Sequence, residues 1–318
     1  MLTENNKVSS LRKTYGQTLV ELGKEHDNVV VLDADLACST QTIQFGKAFP
    51  ERFFNMGISE QDAIGTAAGL AYSGKVAFFS TFAVFASGRA WDQVRCSVAY
   101  PKMNVKIVAT HGGVTVGEDG ATHQALEDIS LMRSLPNMTV IIPADSIETK
   151  AAIRFAYETP GPFYIRLTRP DLPEVFEADK YKFELKAKVL VEGTDITIAT
   201  FGETLLEVLK CAEMLKEKGI SAEVINVPVV KPFDADTILK SVKKTGAIMT
   251  VENHSIIGGL GSSVCEVLSE NLPMPVKRVG VRDKFGQSGK YTELMAYYGL
   301  TAEKFINDAL KLLEKKAK

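Results

Sequence analysis

Short apolar runs that alternate with longer stretches of helical spacing are what most limits the folds open to this chain. The runs fall at residues 29–32, 53–56, 76–79, 105–109, 140–142 and 163–167. Each is too short for a buried helix, and they alternate with stretches whose apolar residues recur every three to four positions. Strands separated by helices predict a parallel sheet covered on both faces. Ser9 and Ser10 precede the first helical segment, 11–24, as capping residues. From 170 to 188 the pattern lapses into prolines and mixed charges, which marks a connector. Beyond it, strands at 196–201, 222–227, 247–251 and 276–281 alternate with helices at 204–218, from 234, at 262–268 and from 301. The chain is therefore expected to be α/β, with two α/β domains at 1–169 and 189–318, each a mostly parallel sheet flanked by helices. A length of 318 residues suits that division.

Residues 117–124, Gly-Glu-Asp-Gly-Ala-Thr-His-Gln, interrupt this regularity. With Gly112 and Gly113 just before them they hold too many glycines for a stable helix or central strand, so a loop is expected. Ionisable groups on a loop at the end of a buried strand are placed where open α/β sheets handle ligands. A formal charge of -2 excludes the broad positive field that non-specific nucleic-acid binding requires. Cys38, Cys96, Cys211 and Cys265 form no Cys-x-x-Cys pair, which argues against a zinc or redox motif. No apolar leader or membrane-length run is present, and a cytoplasmic setting is expected.

Several residues can carry chemistry. Glu60 opens a helix rich in alanine and glycine just after a strand; it either complements the helix dipole or is a partly buried carboxylate that shares a proton. Phe82 and Phe85 are read as lying beyond the strand at helical spacing, where they either pack in the core or wall a flat slot for a ring. His111 and His123, half of the four histidines, fall in polar loop sequence and suit hydrogen bonding or proton transfer better than metal ligation. Arg12 and Arg169 bracket the first domain, as surface charges or as a forked phosphate grip. Gly258, Gly259 and Gly261 imitate part of a dinucleotide fingerprint, but Val264 stands at the third small position, so a tight turn is expected.

Taken together, the residues resemble the C-terminal half of transketolase over nearly the whole chain. The matching stretches are Ala34-Asp35-Leu36 with Ser39, Gly57-Ile58-Ser59-Glu60, Ser80-Thr81-Phe82 with Phe85, Thr110-His111, residues 117–124, residues 166–169 and Phe285-Gly286-Gln287-Ser288-Gly289. The resemblance implies thiamine diphosphate as cofactor. Glu60 would bond ring nitrogen N1′ of the aminopyrimidine and shift its amine toward the imino form, in a pocket of Phe82 and Phe85 bordered by Asp35, Leu36 and Ile58. It further implies that His111, Asp119 and His123 contact the sugar, with His111 and His123 also catalytic, and that Arg12, Ser39 and Arg169 hold its phosphate. Position 88 is Gly where many relatives have a third pocket aromatic.

Transketolases bind the diphosphate and its divalent metal through a Gly-Asp-Gly motif, which these 318 residues lack. The resemblance therefore implies one subunit of a split transketolase, a homodimer within a heterotetramer. Mg2+ or another divalent metal would be held by an N-terminal partner subunit, and sugar phosphates would be the substrates. No metal ligand is expected in this chain. The competing expectations are the β subunit of a 2-oxo acid dehydrogenase, a deoxyxylulose-phosphate-synthase-like enzyme, and a non-catalytic regulatory subunit.

Overall fold

The computed structural model describes residues 7–316. Ser10 starts the first helix, Leu11–Glu25, by accepting the Lys13 backbone N–H on its hydroxyl, which satisfies a donor that every helix start leaves free. Leu11, Tyr15, Leu19 and Leu22 face inward. The following strand, Val29–Asp33, is buried at every residue, as a central parallel strand must be.

The first sheet has seven strands in the order Val229–Lys231, Thr139–Ile141, Phe163–Arg166, Val105–Thr110, Val76–Phe82, Val29–Asp33, Phe53–Asn55. All pairings are parallel except that of Val229–Lys231. From Val29–Asp33 the chain steps out to Phe53–Asn55 and then recrosses to Val76–Phe82. Strand order thus reverses beside the carboxyl end of Val29–Asp33, the position at which such sheets open a crevice. The second sheet runs Val276–Val281, Ile248–Ser255, Ile196–Thr200, Ala222–Asn226, Lys188–Val191, with only the last strand antiparallel. Two α/β layers of mostly parallel strands result, as the alternation of runs predicts.

The run at 222–227 conceals a second strand. After Asn226 the chain passes through Pro228, whose carbonyl accepts the Ile142 N–H at 2.7 Å, and Val229–Lys231 joins the first sheet's edge. Val227 and Val229 continue the apolar run across the proline, so periodicity alone does not separate the strands. The helix expected at 262–268 starts earlier, as Leu260–Asn271. Its first N–H groups, of Leu260 and Gly261, donate to the Glu252 carboxylate at 2.8 and 2.9 Å. A Cβ on Gly259 would lie 1.9 Å from Glu252 Oε2. The glycine turn is a cradle for an internal carboxylate, in accord with the tight-turn reading. Among the described residues, no helix is long and apolar enough to cross a membrane.

The connector is tied down by two carboxylates. Asp145 caps Ser146–Glu158 by accepting the Glu148 N–H, and its other oxygen accepts the N–H groups of Val175 and Phe176. Glu148 returns the capping contact to the Ala144 N–H and also accepts from Asn226 and the Tyr181 hydroxyl. Burial pushes the Glu148 carboxyl up to about 7, and does the same to Glu252. Each folded-state value lies above the unfolded one, so the native state binds the extra proton. Their contribution is complete below the ordinary glutamate range and is lost as pH rises toward 7. Stability against unfolding should therefore fall between about pH 4.5 and pH 7 by a few kcal/mol, because each tenfold change in a proton equilibrium is worth about 1.4 kcal/mol. Denaturant titrations across that range should show a shallower slope for Glu148→Gln; an unchanged slope would remove Glu148 from this account.

Candidate active site

Carboxyl ends of the first sheet's strands deliver the candidate residues. Strand Val76–Phe82 includes Phe82 as its last residue, which corrects the expectation that Phe82 lies beyond it. Wholly buried pairing to Val105–Thr110 extends the strand past the serine and threonine that its hydropathy makes look like an end. The chain then enters a π-helical turn, Phe85–Arg89. The Phe82 and Phe85 rings lie 5.9 Å apart and 13° from parallel. His111 stacks on Phe82 at 3.8 Å, and His123 meets both rings edge-on at 6.1 and 5.4 Å.

His111 is 3% exposed, so its polar-loop appearance in the sequence is corrected: the imidazole packs against an apolar face. Its φ of 61° is a left-handed conformation that a non-glycine residue resists. Such strain concentrates at sites where the surroundings impose it. Burial, then the charges of Arg12, Arg169 and His123, push His111 down to about 3. It is a neutral hydrogen-bonding ring rather than a proton donor at neutral pH, with Nδ1 2.8 Å from the Thr110 hydroxyl.

Glu60 is the first residue of helix Glu60–Tyr72 and is 1% exposed. A residue that served only the helix dipole would sit in water. Its Oε1 accepts from Arg89 Nη1 at 2.7 Å, while Oε2 is buried with no hydrogen-bond partner among the described residues. Arg89 escapes a motif-based reading, although it is the single basic residue between positions 76 and 94. Its guanidinium carbon lies 4.5 Å from the centre of the Phe85 ring.

A second group forms the rim. Arg12 donates to the carbonyl oxygens of Ser39 at 2.8 Å and Arg169 at 2.9 Å, so Ser39 contributes its main chain here. Arg169 bonds the Val116 carbonyl and lies 3.4 Å from Glu118 and 3.7 Å from Asp119. Arg12, Glu118 and Arg169 border a cleft of about 400 Å³ that reaches Tyr291. Asp35, also in left-handed conformation, accepts from Asn55 at 3.0 Å. The Leu36 N–H donates to buried Asp33, which also gathers Thr40 and Thr42. Ile58 is 78% exposed and walls nothing within this chain. Among the described residues, no group of three or more His, Cys, Asp or Glu is arranged to hold a metal. A larger cleft, of about 660 Å³, lies between Leu11–Glu25 and Ser146–Glu158, but its Lys150 and Arg154 already pair with Glu21 and Glu25.

The histidine-bearing loop is buried on one side and open on the other: residues 111–117, Gly120 and Gln124 are buried, whereas Glu118, Asp119, Ala121 and Thr122 are exposed. Val114–Asp119 forms short 3-10 turns broken at Gly117, whose φ of 80° and ψ of -122° are non-helical. The second domain supports this segment. The Val114 N–H donates to Asn253 Oδ1 at 3.0 Å, and a Cβ on Gly113 would lie 2.3 Å from the same side chain. Gln124 donates to the Gln287 carbonyl at 3.0 Å, with Gly286 against its amide.

Comparison with known proteins identifies this arrangement. The transketolase pyrimidine-binding domain matches residues 7–175, and the transketolase C-terminal domain matches 185–305. The chain belongs to the transketolase family. A provisionally named transketolase C-terminal section of Methanocaldococcus jannaschii is 53% identical over 308 residues, with 96% of each chain covered. The 6-deoxy-6-sulfo-D-fructose transketolase subunit SqwH of Clostridium sp. strain MSTE9 is 45% identical, covering 96% of this chain and 95% of its own. A solved split-gene transketolase, described as an inactive β4 tetramer, superposes with a TM-score of 0.90 at 51% identity, covering 97% of this chain and 99% of its own.

Proposed function

We propose that this chain is the pyrimidine-binding half of a two-chain transketolase, which moves a two-carbon ketol unit from a ketose phosphate to an aldose phosphate with thiamine diphosphate. The observation that carries this reading is the Glu60 carboxyl: buried, its Oε2 without a partner among the described residues, and joined through one guanidinium to the Phe85 ring. A buried acceptor is left bare only at a cost of roughly 1–3 kcal/mol, and a planar ring with a basic nitrogen would supply the missing partner. The residues thus fit the cofactor's aminopyrimidine.

When bound, thiamine diphosphate supplies an acidic carbon that accepts and releases the ketol unit. Glu60 would hold the proton at N1′ of the ring, Phe85 would face the ring, and Phe82, stacked on His111, would close the pocket and keep water off it. Neutral His111, with His123 and Asp119, would direct hydrogen bonds at sugar hydroxyls, and Arg12 and Arg169 would grip the phosphate in forked geometry. Asp35, Leu36, Ile58 and Ser39 would border cofactor and sugar from the neighbouring strand ends. Support for a separate diphosphate- and metal-binding chain comes from the split-gene relative, which this chain covers nearly end to end.

The test is reconstitution with a chain that bears Gly-Asp-Gly. Ketol transfer should appear only in the pair and should disappear when thiamine diphosphate is removed. An enzyme-like rate from this chain alone, or activity of the pair without the cofactor, would overturn the reading. The sulfo-sugar named for one relative makes a panel of ketoses with phosphate and sulfonate tails the natural donor set.

A further inference from the structure

We infer that Arg89 occupies the place of the aminopyrimidine ring in the cofactor-free protein and is displaced when the ring enters; this rests on the proposed cofactor. Two contacts define where a planar nitrogen ring would settle: a hydrogen bond to Glu60 and a face against Phe85. The Arg89 guanidinium, itself planar and nitrogen-edged, makes both, at 2.7 Å to Glu60 Oε1 and 4.5 Å to the Phe85 centroid. The other faces are taken. His111 covers Phe82 at 3.8 Å, and the 5.9 Å between Phe82 and Phe85 is short of the roughly 7 Å that a ring sandwiched at two van der Waals contacts needs.

The local backbone makes displacement feasible. Arg89 ends a π-helical turn, a distortion that frequently marks functional positions in helices. It is 49% exposed on its outer side, while Glu60 is 1% exposed. Beside it Gly88 leaves open space, with nothing within 4 Å of where a Cβ would stand. The guanidinium can therefore move outward into the volume that a third aromatic would otherwise fill. Without cofactor Arg89 balances the buried carboxyl through Oε1 alone and leaves Oε2 bare; with cofactor the ring nitrogen pairs with the carboxyl in place of the guanidinium. A residue that stabilises only the cofactor-free form must weaken ligand binding by the same factor.

The test is calorimetric titration of thiamine diphosphate with Mg2+ into the reconstituted pair, for wild type, Arg89→Met and Arg89→Lys. Arg89→Met should bind about tenfold more tightly, and Arg89→Lys, which keeps charge but not the flat stacking face, should fall between them. Thermal unfolding adds a second reading. Arg89→Met should lower the midpoint of the cofactor-free pair by several degrees and that of the saturated pair by much less. Unchanged or weaker binding by Arg89→Met, with the wild type binding normally, would overturn the displacement while leaving the function intact. Failure of the wild-type pair to bind the cofactor at all would instead sink the proposed function, and with it this inference.

Discussion

Glu60→Gln should lower kcat of the assembled enzyme on the order of 10²–10⁴-fold, with sugar KM values changed by no more than about threefold. Glutamine keeps the shape of the side chain and can still fill the space beneath helix Glu60–Tyr72. It cannot take up or return a proton, which is the one role that a buried carboxyl facing a ring nitrogen would have. The sugar contacts assigned to Arg12, His111, His123 and Arg169 lie on other segments, the first helix and the ends and loops beyond Val105–Thr110 and Phe163–Arg166, and are untouched. Stability should hardly move, because Arg89 is half-exposed and stays hydrated when its partner becomes neutral. Steady-state kinetics of the reconstituted pair, with unfolding curves as control, checks this. A regulatory subunit that merely shares the fold would show flat activity, and that outcome would reverse the assignment.

The fold was legible because its elements obey simple periods. Val29–Asp33 and Ile196–Thr200 are mostly apolar and buried at every residue, since both faces of a parallel sheet are covered. Where the reading fell short, tertiary pairing had overridden local pattern. Val229–Lys231 is a strand only because the edge of another domain's sheet is there to receive it. Phe82 remains in strand conformation because Thr110 continues the ladder beside it. Helix Tyr291–Tyr297 carries an exposed Tyr291 and Tyr297 that blunt its period. Candidate site residues were visible as motif positions, but their chemistry was not. The burial that separates a site carboxylate from a helix-dipole partner at Glu60, and that holds His111 neutral, depends on strands far away in the chain. Arg89 is the clearest omission: nothing local distinguishes it from a surface arginine until Glu60 and Phe85 are brought beside it.

Arg166→Met should destabilise the folded chain by roughly 3–5 kcal/mol, the scale for removing one partner of a buried ion pair. Arg166 is 2% exposed, and its Nε lies 3.0 Å from Asp128 Oδ2, whose side chain is fully buried. Methionine matches much of the volume, so the loss would report charge rather than packing. Asp128 would keep only the Tyr164 hydroxyl, at 2.7 Å. The Asn253 carbonyl, held at 2.9 Å, would lose this donor, and the Ala125 carbonyl, at 3.4 Å, would keep only the Gly113 N–H. Because replacing a whole buried pair by apolar groups is often close to neutral, Asp128→Leu added to Arg166→Met should recover a large part of the loss. Denaturant unfolding of the chain measures both, and a loss below about 1 kcal/mol for the single variant would show that the pair is not what holds this junction. The same guanidinium also fixes the histidine-bearing loop. A Cβ on Gly112 would lie 2.1 Å from Arg166 Nε, and Ala125 closes the segment that carries Asp119 and His123. Any Arg166→Met protein that still folds should therefore show raised sugar KM, because this side chain ties the loop's Ala125 end to the first sheet and to the Asn253 main chain, alongside the Val114–Asn253 and Gln124–Gln287 bonds.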